Sequence, residues 1–187
     1  DWSSDVCSSD LALADHVAAL YADHACAPDE CADSTVAIQV RREPRRPWRR
    51  SARLLIDDTP VMHPLAAKLS VPMMEWAMNL VIASRSHLHL LVHAAVIERD
   101  GRALLLPGRS GAGKTTLAAL LVANGWRLFS DEFAVIEPDT GRCVPMPRPL
   151  SLKNDGIALV RAAFPGGVFT PDYPRTVKGR LCYMRAP

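Results

Sequence analysis

The apolar positions of this chain change period as it is read from its start. Leu13, Val17, Leu20 and Tyr21 fall at helical spacing, so residues 11–25 read as a helix. Residues 34–42 alternate β-branched with polar side chains and predict a strand. Residues 53–56 predict a second, ending at the turn Asp57-Asp58-Thr59-Pro60. Residues 72–86 return to the helical period. Pro72 suits a first turn, and Met73, Trp76, Ala77, Leu80 and Val81 line one face.

The pattern then sharpens. Residues 88–98 form a near-continuous apolar run and read as one strand. Asp100-Gly101 signals a tight turn, and residues 102–106 are the next strand. A glycine-rich loop occupies residues 107–113, and residues 115–123 are a helix closed by Asn124-Gly125. Residues 126–130 are a buried strand ending at Asp131-Glu132, and residues 133–137 run extended into a turn at 138–141. Strand, loop, helix and strand fill the length of a βαβ unit. Beyond Val144 the prolines interrupt any period, and no element is assigned.

Composition changes the picture in four places. Hydrophobic residues make up 49% of the 187, enough for a packed core without disulfides or structural metal. Cys7, Cys26, Cys31, Cys143 and Cys182 show no paired spacing, which argues against a zinc site and suits a reducing, cytoplasmic setting. The apolar run at 88–97 is interrupted by His89 and His93 and is too short to span a bilayer, so no membrane insertion is expected. The fourth feature is charge. Seven arginines (Arg41, Arg42, Arg45, Arg46, Arg49, Arg50 and Arg53) stand against Glu43 alone between residues 41 and 53. Pro44 and Pro47 break any helical face there. The segment is read as a solvated extended edge or a contact within a homo-oligomer, with no nucleic-acid partner.

The ends of the chain are read separately. Residues 1–10, DWSSDVCSSD, resemble the in-frame translation of a sequencing adapter and are set aside from the fold as an artefact. Residues 11–71 form an N-terminal α+β region. Residues 72–187 form the main core, and the ending at Arg185-Ala186-Pro187 reads as a truncation of it.

Gly108-Arg109-Ser110-Gly111-Ala112-Gly113-Lys114-Thr115 fits G-x-x-x-x-G-K-[ST] in full, and Thr116 continues it into the helix. Each position answers a chemical need. Wrapping a polyphosphate in backbone N–H groups requires close approach and left-handed dihedrals, hence glycine. The helix behind the loop points its N-terminus at the anion. Lys114 would reach the β- and γ-phosphates, and the Thr115 hydroxyl would ligate magnesium. ATP and Mg²⁺ are therefore the expected cofactors. Arg109, at a variable position, is expected to be exposed.

Asp131 and Glu132 lie 17 and 18 residues after Lys114, at the carboxyl end of the following strand, where ligands of open α/β sheets collect. One carboxylate would hold magnesium and the other would accept a proton from an attacking hydroxyl; the plain alternative is a capping or solvated pair. His93 and His89 share the apolar run before the loop. A histidine so placed is ordinarily a satisfied core residue.

His93-Ala94-Ala95, the loop with its Lys-Thr-Thr, and Gly125-Trp126-Arg127-Leu128-Phe129-Ser130-Asp131-Glu132 together resemble HPr kinase/phosphorylase, a relative of phosphoenolpyruvate carboxykinase. The runs at 93–96, 100–101, 125–132, 148–154 and 178–179 resemble more closely the HPr-kinase-related kinase A proteins associated with exosortase clusters. The resemblance implies an α/β fold of the P-loop NTPase kinase type. It implies a cytoplasmic ATP-dependent phosphotransferase acting on a hydroxyl, with a protein serine as acceptor, though not necessarily in HPr. By that resemblance Asp131 is the proton acceptor, His93 a neighbouring catalytic residue and Lys114 the phosphate-binding cation. Thr115 and Glu132 are assigned to the metal, and Arg148, Lys153 and Lys178 are candidates for phosphate contact. Glu132 stands where the family has aspartate, which counts against phosphorylase activity. Two other readings stay open: a nucleotide-gated ATPase or switch, and a small-molecule kinase.

Overall fold

A computed structural model describes residues 11–24 and 33–187. The adapter-like residues 1–10, Cys7, Cys26 and Cys31, and the last residue of the expected first helix lie outside the described residues. The chain divides into two compact units, residues 1–85 and 86–187. The division falls after the second helix, whereas the sequence reading set it before that helix, at 71/72.

In the first unit, helix α1 (Leu11–Leu20) precedes a long antiparallel hairpin of β1 (Val36–Glu43) and β2 (Arg46–Ile56). Two short strands, β3 (Thr59–Pro60) and β4 (Leu65–Ala66), pair with β2. Helix α2 (Ser70–Arg85) follows and packs on β1 and β2. The second strand starts seven residues earlier than expected. Apolar periodicity is blind to the arginines, but antiparallel pairing with β1 carries β2 through them. The apolar face of α2 is also rotated from the expected one. Val71, Met74, Met78 and Ile82 are buried with Met73 and Ala77, while Trp76 and Leu80 are exposed. That helix is apolar on most sides, so its periodicity does not single out a face. Buried Glu75 accepts a 2.6 Å hydrogen bond from the Tyr21 hydroxyl, which satisfies a polar group the helix carries inward.

The second unit holds three three-stranded sheets. One is formed by β5 (Leu90–Val92), β9 (Ala134–Ile136) and β10 (Cys143–Val144), with β9 central. The next has order β7 (Arg102–Pro107), β6 (Ala94–Arg99), β8 (Arg127–Ser130). The last has order β11 (Leu150–Lys153), β13 (Gly179–Met184), β12 (Tyr173–Thr176). Helix α3 (Lys114–Ala123) joins β7 to β8, and α4 (Gly156–Ala163) follows β11. Because β7 and β8 are each antiparallel to β6, they run parallel to one another with β6 between them.

Two expectations change here. The apolar run at 88–98 is two strands in two sheets, broken at His93. His89 lies before β5 and does not share a strand face with His93. The proline-rich end, left unassigned from sequence, folds into β11, α4, β12 and β13 around Leu150, Leu152, Ile157, Val160, Cys182 and Met184. Its strands are too short and too interrupted for a periodicity signal, and long-range pairing makes them.

Helix α3 is placed by small residues. Ala118 packs with Ala95 and Ile97 of β6, and its short side chain lets helix and sheet approach closely. Burying Ile97 completely contributes roughly 1.5–3 kcal/mol. The helix ends as its sequence predicts. Gly125 is left-handed at φ 85°, its N–H reaches Val122 O at 3.0 Å, and Trp126 N–H reaches Leu121 O at 3.2 Å.

Candidate functional site

The loop between β7 and α3 turns on two left-handed glycines, Gly111 at φ 83° and Gly113 at φ 86°. A side chain at either would be strained whatever the space around it. Gly113 is the residue before the first turn of α3, and no side chain caps that turn. The helix thus starts with its first amides unsatisfied by a cap and its dipole facing outward. Lys114 curls back over the loop. Its Nζ donates to Gly108 O at 2.8 Å and Arg109 O at 3.1 Å, and lies 3.2 Å from His93 Nε2.

His93 owes this position to the break between β5 and β6. Its Nδ1 lies 2.8 Å from Glu132 O. A carbonyl oxygen only accepts, so Nδ1 carries the hydrogen and Nε2 presents a lone pair to the Lys114 ammonium. The residue expected by default to be core is an exposed member of the site.

The acidic pair follows β8 in a tight turn that the Ser130 hydroxyl closes onto Phe133 O. Asp131 is 4% exposed. Thr115 Oγ1 donates to its two carboxylate oxygens at 2.9 and 3.1 Å, and Ser151 N–H donates to Oδ2 at 3.3 Å. Burial pushes the Asp131 carboxyl from its ordinary 3.8 up to about 6, and the neighbouring Glu132 charge pushes it the same way. The bonds from Thr115 and Ser151 and the charge of Lys153 oppose that rise without cancelling it. Glu132 sits at φ 79°, an uncommon backbone for a side chain that is not glycine, asparagine or aspartate. Its carboxylate lies 3.8 Å from Lys153 Nζ and 3.8 Å from His93 Nδ1.

These groups line a cavity of about 590 Å³. Its wall takes Ser110, Gly111, Gly113, Lys114, Thr115 and Thr116 from the loop and helix, and His93, Asp131 and Glu132 from the strand ends. The far wall comes from the region that sequence left unassigned: Ser151, Lys153, Asn154, Asp155 and Gly156, with Val177 and Lys178 from the β12–β13 turn. Gly156 lets the start of α4 approach α3, since a Cβ there would collide with Thr116 Oγ1. Asn154, left-handed at φ 49°, accepts from Arg180 N–H at 3.1 Å, and its backbone carbonyl accepts from the Arg180 guanidinium at 3.1 Å. These bonds hold the turn that carries Lys178.

Most sequence candidates therefore converge. Lys153 and Lys178 join the cavity, whereas Arg148 is buried and lies outside its lining. Arg109 is exposed and contributes only its carbonyl. Thr115 bonds to Asp131, not to Glu132 with which sequence paired it. Ser151, Asn154 and Asp155 were missed. The run Asn154-Asp155-Gly156 is a turn signal in sequence, yet nothing local says which face of the fold it joins.

The family model that matches the chain is that of the SynChlorMet cassette protein ScmC, over residues 62–149. The matched stretch includes the glycine loop, α3 and the acidic pair. This finding overturns the assignment to HPr kinase/phosphorylase and its kinase A relatives. A phosphate loop and an acidic pair are demanded by phosphate and metal chemistry, so their order alone does not identify a family. No curated protein and no solved structure matches the chain. What the chain is similar to, over rather less than half its length, is ScmC.

Proposed function

We propose that the second unit is a P-loop kinase-type core that binds Mg-ATP and transfers the γ-phosphoryl group to a hydroxyl. The observation that carries the reading is the uncapped start of α3. Two left-handed glycines precede it, Lys114 Nζ is turned into the loop, and Thr115 is bonded to a buried carboxylate. A polyphosphate would replace the two loop carbonyls as the partner of Lys114 and would satisfy the free amides of the first turn.

The residues fit a hard divalent cation. Thr115 Oγ1 and the Asp131 carboxylate are adjacent oxygens at the mouth of the phosphate loop, and they would hold Mg²⁺ directly or through water. When bound, Mg²⁺ would neutralise charge on the phosphate oxygens. Because Asp131 is committed to Thr115, the base falls to Glu132. Its carboxylate reaches the same cavity and is held between Lys153 and His93. His93 positions both Lys114 and the Glu132 backbone. Lys153 and Lys178 would stabilise charge on the transferred group. A protein serine is the acceptor class carried forward, in a cytoplasmic setting where ATP and magnesium are abundant.

Incubation with γ-labelled ATP, magnesium and candidate acceptor proteins tests this. Label on a protein hydroxyl supports the reading. Free phosphate alone would make the protein a nucleotide-gated ATPase, and label on a metabolite would make it a small-molecule kinase. Absence of any Mg-ATP binding by calorimetry removes all three.

A further inference from the structure

Strand β7 stands at the end of its sheet. It pairs with β6 on one side, and among the described residues no strand pairs with the other. Its sequence is nevertheless that of an interior strand. Ala103, Leu104, Leu105 and Leu106 are apolar without alternation, the pattern of a strand covered on both faces. Register with β6 assigns those faces. Leu106 lies opposite Ala95 and Leu104 opposite Ile97, on the side that α3 covers. Leu105 lies opposite Val96, on the side that carries Ala134. The covering is incomplete on both. Ala103 is exposed, Leu104 is 41% exposed, and Leu105 and Leu106 are only half-buried.

Helix α3 adds an apolar rim. Ala119 turns toward the cluster of β11 and α4. Leu117, about 200° around the helix from it, falls on the β7 flank. It is 48% exposed. An open row of backbone N–H and C=O groups is thus bordered by leucines. Edges of this kind are ordinarily blunted by a lysine, a bulge or a proline in the strand. Here the pairing with β6 is regular throughout, and Arg102 and Pro107 stand only at its ends.

A strand is the one partner that supplies the missing hydrogen bonds and covers both faces at once. Size favours a passing partner over a stable dimer. Six strand residues and Leu117 border the edge, against roughly 20–30 residues a side in a stable interface. Position then names the occupant. Pro107 ends β7 and Gly108 opens the phosphate loop, so the edge leads straight to the cavity. Leu104 to Gly108 is roughly 13 Å of extended chain. Resting on the phosphotransferase reading, we propose that β7 docks the acceptor. An extended polypeptide segment with apolar side chains adds to the free edge and brings a serine about four residues beyond it to the cavity. The serine oxygen then bonds to the γ-phosphorus, the bond to the ADP oxygen breaks, and the hydroxyl proton passes to Glu132.

The test is fluorescence anisotropy of a labelled peptide with the full chain. The peptide carries five alternating valines and isoleucines, flanked by lysines, with a serine four residues beyond each end. A copy N-methylated along the apolar segment keeps the side chains and removes the backbone donors. Leu104→Lys on the strand and Leu117→Lys on the helix are compared with the parent, and far-UV circular dichroism checks their fold. Methylation and each variant should weaken peptide binding about tenfold, roughly the loss of one or two backbone bonds with their apolar contacts. Mg-ATP affinity by calorimetry should stay unchanged in both variants, and label from γ-labelled ATP should appear on the peptide serine. Four results would overturn the proposal: equal binding of the methylated copy, binding indifferent to both variants, Mg-ATP bound with no label on the peptide, and a dimer of the parent that Leu104→Lys dissociates. The last would give the edge to a second copy. Failure to bind Mg-ATP removes the phosphotransferase reading and this proposal with it, and calorimetry tells that failure from a failure of docking alone.

Discussion

The arginine ribbon and the cavity of the second unit both gather charge, and they do so in opposite ways. The ribbon sets Arg41, Arg42, Arg45, Arg46, Arg49 and Arg53 exposed to water, where their charges are screened. The cavity sets three cations, Lys114, Lys153 and Lys178, among three carboxylates, Asp131, Glu132 and Asp155, so that its charges cancel. There the information lies in position. Asp131 is buried against Thr115, Lys114 is tied to two loop carbonyls, and Glu132 is held at a strained backbone angle. A ribbon built on number should respond to salt and tolerate single changes. A cavity built on placement should respond sharply to one atom.

The largest effect should come from Glu132→Gln. It keeps the shape but removes the proposed proton acceptor, and should lower phosphoryl transfer about 10²–10⁴-fold while nucleotide still binds. If transfer survives while Asp131→Asn abolishes it, the roles of the two carboxylates are exchanged. Lys114→Ala should weaken Mg-ATP about a hundredfold in calorimetry, through loss of charge-assisted bonds to phosphate. An unchanged affinity would mean that the loop is not the nucleotide site.

Asp131→Asn has a pH signature of its own. A carboxyl whose pKa rises on folding, here from 3.8 to about 6, holds its proton more tightly in the native state. Its contribution to stability is therefore greatest below pH 4, declines between pH 4 and 6, and is level above. Asparagine removes that decline. Relative to the parent, the variant should gain about 2–3 kcal/mol at pH 7 over pH 4 in denaturant unfolding. A difference that does not vary with pH would show that Asp131 is not held by burial. Gly156→Ala drives a methyl into Thr116 and should cost about 1–3 kcal/mol by the same measurement, with weaker nucleotide binding. Full stability there would mean that α3 and α4 are free to separate. At the other end of the scale, Arg49→Gln on the ribbon should leave the unfolding midpoint in place. A marked drop would show that the ribbon is packed and not free.

Local chemistry made the turn of the glycine loop legible from its eight letters, since glycine is the residue that takes left-handed positions such as 111 and 113 without strain. The cap of α3 at Asn124-Gly125 was legible for the same reason. The first half of the β1–β2 hairpin was read and its second half was not, because arginines carry no apolar period. His93 entered the candidate site through a resemblance while its apolar neighbours argued for the core; the run around it divides between two sheets, and at that division His93 lines the cavity. The shared runs that suggested a kinase family were read too far, since they mark a chemistry before they mark a lineage.

Sequence by itself determined the loop, the helix behind it and the acidic pair at the strand end, because each is written in neighbouring residues. Tertiary structure alone decided that Thr115 meets Asp131, that Lys153 and Lys178 close the far wall, and that the arginine segment is drawn into β2 by pairing with β1. Those relations join residues that are not neighbours in sequence, and strand pairing and core packing set them, which no local pattern records.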